Sequence, residues 1–154
     1  MLVQLNRTDD RMFTAAGTDL PYNTATTRSM HPVVAVLGRP GRVAGLAEQL
    51  PAGWTLRAAR DLHDVHADEI VLFTQAREQD VVAARELLPR RTAVVALVDS
   101  EAPAELVAGV LTAGADVCVR GGLPAILASH LVACRRRQLA DRWARLAAAG
   151  AIQD

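Results

Sequence analysis

Ala113-Gly-Ala-Asp-Val-Cys-Val-Arg-Gly-Gly122 is the stretch on which the reading of this chain turns. A turn of small residues feeds a β-branched run at 117–119, and an arginine and two glycines stand where that strand should end. In parallel α/β sheets, ligands and catalytic groups collect at the carboxyl ends of the strands. Residues 113–122 are therefore expected to frame whatever site the chain carries.

Working outward, the same alternation of apolar run and helical spacing repeats. Residues 33–37 form an unbroken apolar run, the mark of a strand buried on both faces. Gly38-Arg-Pro-Gly41 turns the chain, and Val43, Leu46, Ala47 and Leu50 recur at helical spacing as far as Pro51. A second strand is predicted over 54–58, followed by a short polar helix around 61–66. A third strand spans 69–74, and an amphipathic helix over 80–88 is stopped by Pro89. The fourth strand is 92–98, and Pro103 opens a helix running to Ala113, broken by Gly114. After the fifth strand, Pro124 opens the last helix. Five strands joined by helical crossovers imply a parallel sheet covered on both faces with right-handed connections. The predicted fold is α/β, flavodoxin-like and doubly wound, a five-stranded parallel sheet of order 2-1-3-4-5 with an extended C-terminal helix.

Composition sets the outer bounds. With 154 residues, 51% of them apolar, the chain suits a single core-bearing domain. Its formal net charge is zero, so no global field draws it to nucleic acid or to an anionic membrane. All 17 basic residues are arginine, which excludes any mechanism that needs a lysine amine. Cys118 and Cys134 fall in apolar patterns without metal-ligand or redox spacing and read as small core residues in a reducing compartment. No apolar run reaches the roughly 20 residues of a membrane span and no signal-peptide core is evident, so a cytoplasmic location is expected. Residues 1–30 show no period and few apolar side chains, which predicts a disordered N-terminal tail. Met30 directly precedes the first strand, so the tail could be an upstream extension. The domain proper is expected over 31–134, with 135–154 as a C-terminal helical extension.

That extension carries its own signal. The last helix can run over 124–149, longer than the fold requires. Past Cys134, three arginines at 135–137 are followed by Leu139, Trp143 and Leu146 on one face. Val132, Leu139 and Leu146 are spaced by seven, as in a short coiled-coil seam. Two readings stay open: a frayed end folding back on the domain, or a contact with a second copy or another protein through Leu139, Trp143 and Leu146.

The pattern over about 32–134 resembles the receiver domain of two-component response regulators. The resemblance rests on Ala113-Gly-Ala-Asp116, on the strand Ile70–Phe73 and on Arg-Arg-Thr-Ala-Val-Val-Ala-Leu-Val98. It implies a doubly wound fold, and in receivers an acidic pair after the first strand binds Mg²⁺. An aspartate ending the third strand accepts phosphate, a Ser or Thr ends the fourth, and a Lys-Pro pair ends the fifth. At the corresponding strand ends this chain has Leu37 and Gly38, Thr74, Val98, and Gly121 followed by Gly122. No one-residue slip restores the set, and Asp99 is a lone carboxylate. The resemblance is thus to a pseudo-receiver, the frame without the phosphorylation chemistry: no catalytic residues, no metal site and no cofactor are expected.

Two functions from different classes follow. The first is a non-enzymatic, phosphorylation-independent signalling or regulatory module acting through protein–protein contacts. The resemblance implies a protein partner or homodimer through the face of the fourth helix, fifth strand and fifth helix (103–113, 117–119 and 124–132), with no direct nucleic-acid or membrane contact. The alternative is a sensor of an anionic small ligand. In that reading Arg39, Arg42 and Arg120 ring the crevice, with Gly122 and its neighbouring glycines exposing backbone N–H groups. Gly38-Arg-Pro-Gly41 is neither a Walker loop nor a dinucleotide fingerprint. His63, Asp64 and His66 lack a further ligand nearby and read as a solvated segment.

Overall fold

The computed structural model describes residues 31–151, the side chains through residue 150. The expected disordered tail at 1–30 and the last three residues lie outside the described residues. Five strands form one sheet: β1 (Val33–Leu37), β2 (Thr55–Ala58), β3 (Ile70–Phe73), β4 (Ala93–Val98) and β5 (Val117–Arg120). The order is β2-β1-β3-β4-β5 and every pairing is parallel, with Leu37 opposite Phe73 and Val98 opposite Arg120. This is the α/β, flavodoxin-like arrangement read from the apolar runs. β1, β3 and β4 are central and almost wholly buried, which is why they read as continuous apolar segments rather than alternating ones.

The helices are α1 (Leu46–Gln49), α2 (Glu78–Leu87), α3 (Ala104–Ala113) and α4 (Pro124–Ala151). Two predicted crossover helices are replaced. Instead of one helix over 43–50, a 3-10 turn (Pro40–Val43) precedes the single turn of α1, because Gly45 takes a left-handed φ of 80° and interrupts the spiral. The polar helix expected at 61–66 is only a 3-10 turn (Leu62–Asp64), capped by the Asp61 carboxylate, which accepts from the His63 and Asp64 N–H groups. Within these segments Val43 and Leu46 are buried and Ala47 is exposed.

Side chains alternate along the strands into two cores. On one face Ala35, Leu37, Val71, Phe73, Val94, Ala96 and Val98 meet Val81 and Ala84 of α2 and Val110 of α3. On the other, Val34, Val36, Leu72, Val95 and Leu97 meet Leu46 of α1 and Leu127, Leu131 and Cys134 of α4. Truncating a fully buried leucine such as Leu131 to alanine would cost about 2–5 kcal/mol. Burial pushes the thiols of Cys118 and Cys134 above the usual range, and Arg137 Nη2 donates to Cys134 Sγ at 3.3 Å. Both cysteines are free.

At the amino end of the sheet, arginine replaces what lysine could not supply, a planar fork of several donors. Arg85 donates to Gly114 O (2.7 Å), Thr92 O (2.8 Å) and Asp116 Oδ2 (2.8 Å), while Asp116 Oδ2 also accepts from Val94 N at 2.7 Å. Arg57 makes a two-pronged bond to the buried Glu69 (2.7 and 2.6 Å), and this bond holds the guanidinium pKa above its ordinary value. No described helix is long and apolar enough to cross a membrane.

Candidate functional site

The carboxyl ends of β1, β3, β4 and β5 bring together Leu37, Gly38, Thr74, Val98, Asp99 and Arg120–Gly122. Only the last part of the 113–122 stretch belongs to this crevice. Asp116 sits at the opposite, amino end of the sheet, locked between Arg85 and the Val94 amide, so its acidic character is structural.

Thr74, directly after the end of β3, is fully buried. Its hydroxyl donates to Leu37 O (3.2 Å) and accepts from Arg39 N (2.8 Å), while its own amide also donates to Leu37 O (3.0 Å). Gly38 lets the turn close over this hydroxyl. Its φ is +109°, and a Cβ there would lie 2.2 Å from Thr74 Oγ1. The threonine and the glycine thus form a structural joint between the ends of β1 and β3. Both of the hydroxyl's hydrogen bonds are to backbone groups of the β1 turn.

The arginines expected to ring an anion site do not act together. Arg42 is engaged by Asp99: its Nη1 donates to Asp99 Oδ1 at 2.8 Å and its Nη2 forms a second, closer contact with the same oxygen. The pair engages Asp99, directly after the carboxyl end of β4, and removes Arg42 from the candidate anion set. Arg39 and Arg120 are exposed and, among the described residues, make no ion pair. Gly121 has a left-handed φ of 76°, and its amide donates to Val98 O at 3.0 Å, so this N–H is not aimed into the crevice. Gly122 sits against the backbone of Arg42, with Arg42 O 3.7 Å from where a Cβ would be. No cluster of three or more His, Cys, Asp or Glu side chains able to hold a metal occurs among the described residues, His63, Asp64 and His66 included. The Asp64 carboxyl is held below its usual range, first by the Arg60 N–H and then by the Arg57 guanidinium.

Two features of the surface were missed or underweighted by the spacing of residues. First, because the second crossover is a 3-10 turn, no full helix covers that flank of the sheet. A cleft of about 530 Å³ opens there, floored by Leu37, Leu62, Phe73, Ala83 and Leu87 and rimmed by Asp61, His63, Asp80 and Glu86. No sequence signal announces it, since it arises from a helix that fails to form. Second, α4 leaves the sheet after its last ties, Arg135 Nη1 to Asp68 O (3.5 Å) and Gln138 Nε2 to Arg91 O (3.2 Å). The three candidate interface residues Leu139, Trp143 and Leu146 lie beyond those ties, 38%, 70% and 55% exposed. They do not fold back on the domain. Leu111, Leu123 and Ile126, on the face built from α3, β5 and α4, are also exposed. The sequence of this chain matches no protein-family model, and no curated protein is significantly similar to it.

Proposed function

We propose that this chain is a receiver-like regulatory module, located in the cytoplasm, that acts through protein–protein contacts without phosphorylation and without catalysing a reaction. The observation that carries this reading is the Thr74 joint. The Thr74 hydroxyl at the end of β3 is buried and hydrogen-bonded to the β1 turn. Asp99, directly after the carboxyl end of β4, is meanwhile paired with Arg42. Large exposed apolar side chains lie elsewhere, on α2 (Val82 and Leu87), on the α3–β5–α4 face and on the last turns of α4, and such patches mark interaction surfaces. Binding of an anionic ligand is the alternative, and against it stand the pairing of Arg42 with Asp99 and the hydrogen bond of the Gly121 amide to Val98 O.

The test uses the full-length chain. Incubation with acetyl phosphate and Mg²⁺ should leave the intact mass and the association state unchanged. Replacing Leu139, Trp143 and Leu146 together by serine should weaken association with itself or with an added partner while leaving the melting temperature nearly unchanged, since all three are exposed. A phosphoryl adduct would overturn the proposal. So would stabilisation by an anion that is lost in Arg39→Ala or Arg120→Ala.

A further inference from the structure

The last turns of α4 and the cleft beside α2 are complementary in charge, and both carry apolar side chains. Over residues 135–150 the helix carries five arginines and one aspartate, a surplus of four positive charges. Its apolar stripe is Leu139, Trp143 and Leu146. Arg142 lies three residues from Leu139 and four from Leu146, hence beside them on the helix surface, and Arg136 extends the stripe one heptad before Trp143. The cleft has the converse character: an apolar floor and a rim of His63 and three carboxylates, Asp61, Asp80 (paired with Arg77 at 3.7 Å) and Glu86, with Glu78 and Glu86 lining an adjoining hollow about Val82. Among the described residues Glu86 makes no ion pair. At about 530 Å³ the cleft has room for an indole side chain.

A helix cannot reach the cleft of its own domain. α4 packs on the sheet face that holds Leu46, Leu127 and Leu131, whereas Leu37 and Phe73 of the cleft floor point to the other face. The helix also leaves at the amino end of the sheet, where it is tied to Asp68 and Arg91, while the cleft lies at the carboxyl ends of β1 and β3. Pairing the same stripe with itself in a second copy would bring like charges together, Arg142 among them. We propose that the α4 extension of one copy docks in the α2 cleft of the next, a head-to-tail contact with Trp143 in the apolar floor and Arg136 and Arg142 against the acidic rim. This rests on the protein-contact reading above and names a second copy as the partner. Such a contact is heterologous and builds a ring if its rotation closes and an open chain if it does not.

The test is sedimentation velocity on the full-length chain across protein and salt concentrations, with three variants. Self-association should weaken as salt rises, because opposite charges are screened. Arg142→Glu and Glu86→Arg should each weaken it about tenfold, a typical cost for one misplaced charge at an interface. Both sites are exposed, so the variants should keep the wild-type melting temperature. A mixture of the two should associate more strongly than either variant alone, because the tail of each meets a cleft of opposite charge in the other. Combining both changes in one chain should restore self-association. Association that strengthens with salt and ignores Glu86→Arg would mean tail-on-tail pairing and would overturn the proposal. A chain that stays monomeric, or that binds anionic vesicles through Arg142 instead of itself, would also overturn it. Capture of a different protein by a monomeric chain would do so while leaving the contact-module reading intact.

Discussion

Thr74 and Gly38 form the smallest unit on which the functional reading depends. The threonine hydroxyl serves two backbone groups, and the glycine supplies both a left-handed φ and the space that hydroxyl needs. Thr74→Val preserves shape but strands the Arg39 amide, and should lower stability by about 1–3 kcal/mol in chemical denaturation, whereas Thr74→Ser should lose less. Gly38→Ala should cost more than the about 1–3 kcal/mol expected of the backbone strain alone, since its methyl would collide with Oγ1. Adding Thr74→Ala to Gly38→Ala should recover part of that loss, a coupling that a double-mutant cycle reads directly. Strictly additive losses would mean that the two positions do not form one joint.

Among the elements, the strands were legible and two of the crossovers were not. A strand buried on both faces must be apolar throughout, so β1, β3 and β4 could be read from composition alone. Helical spacing at Val43, Leu46 and Leu50 pointed to a helix because spacing does not weigh backbone freedom. Gly45 breaks the spiral although the apolar positions fit it. The Arg42–Asp99 pair was invisible for another reason: its members are 57 positions apart and meet only when the sheet forms. The Asp116 of the Ala-Gly-Ala-Asp turn was visible as a motif, but its role depends on Arg85, 31 positions away. Arg85→Met should therefore remove a donor from Gly114 O and Thr92 O and leave Asp116 Oδ2 with the Val94 amide. We expect a loss of about 2–3 kcal/mol in denaturant titration. Arg85→Lys should rescue little of it, because one ammonium cannot span three acceptors.

At the scale of the described domain, the sheet separates two ends of different character. The carboxyl ends of the strands carry the sealed joint and, beside it, an acid-rimmed cleft. The amino ends release a basic helix with an apolar stripe. A sequence pattern gives the stripe, since Leu139, Trp143 and Leu146 share one side of a helix, but it gives neither the direction in which the helix departs nor the cleft. Both depend on which face of the sheet each crossover covers. Polarity of this kind favours association in which every copy offers one surface and receives another.

The chain has two tryptophans, and they sit in contrasting surroundings. Trp54 is half-buried against the core shared with α4, while Trp143 stands 70% exposed on the extension. With Trp54→Phe, the remaining indole becomes an intrinsic optical gauge of whether the extension is covered. Its emission should lie far to the red in dilute solution and move to the blue, with weaker quenching by iodide, as protein concentration rises. Emission that stays red at every concentration would show that the indole never leaves water.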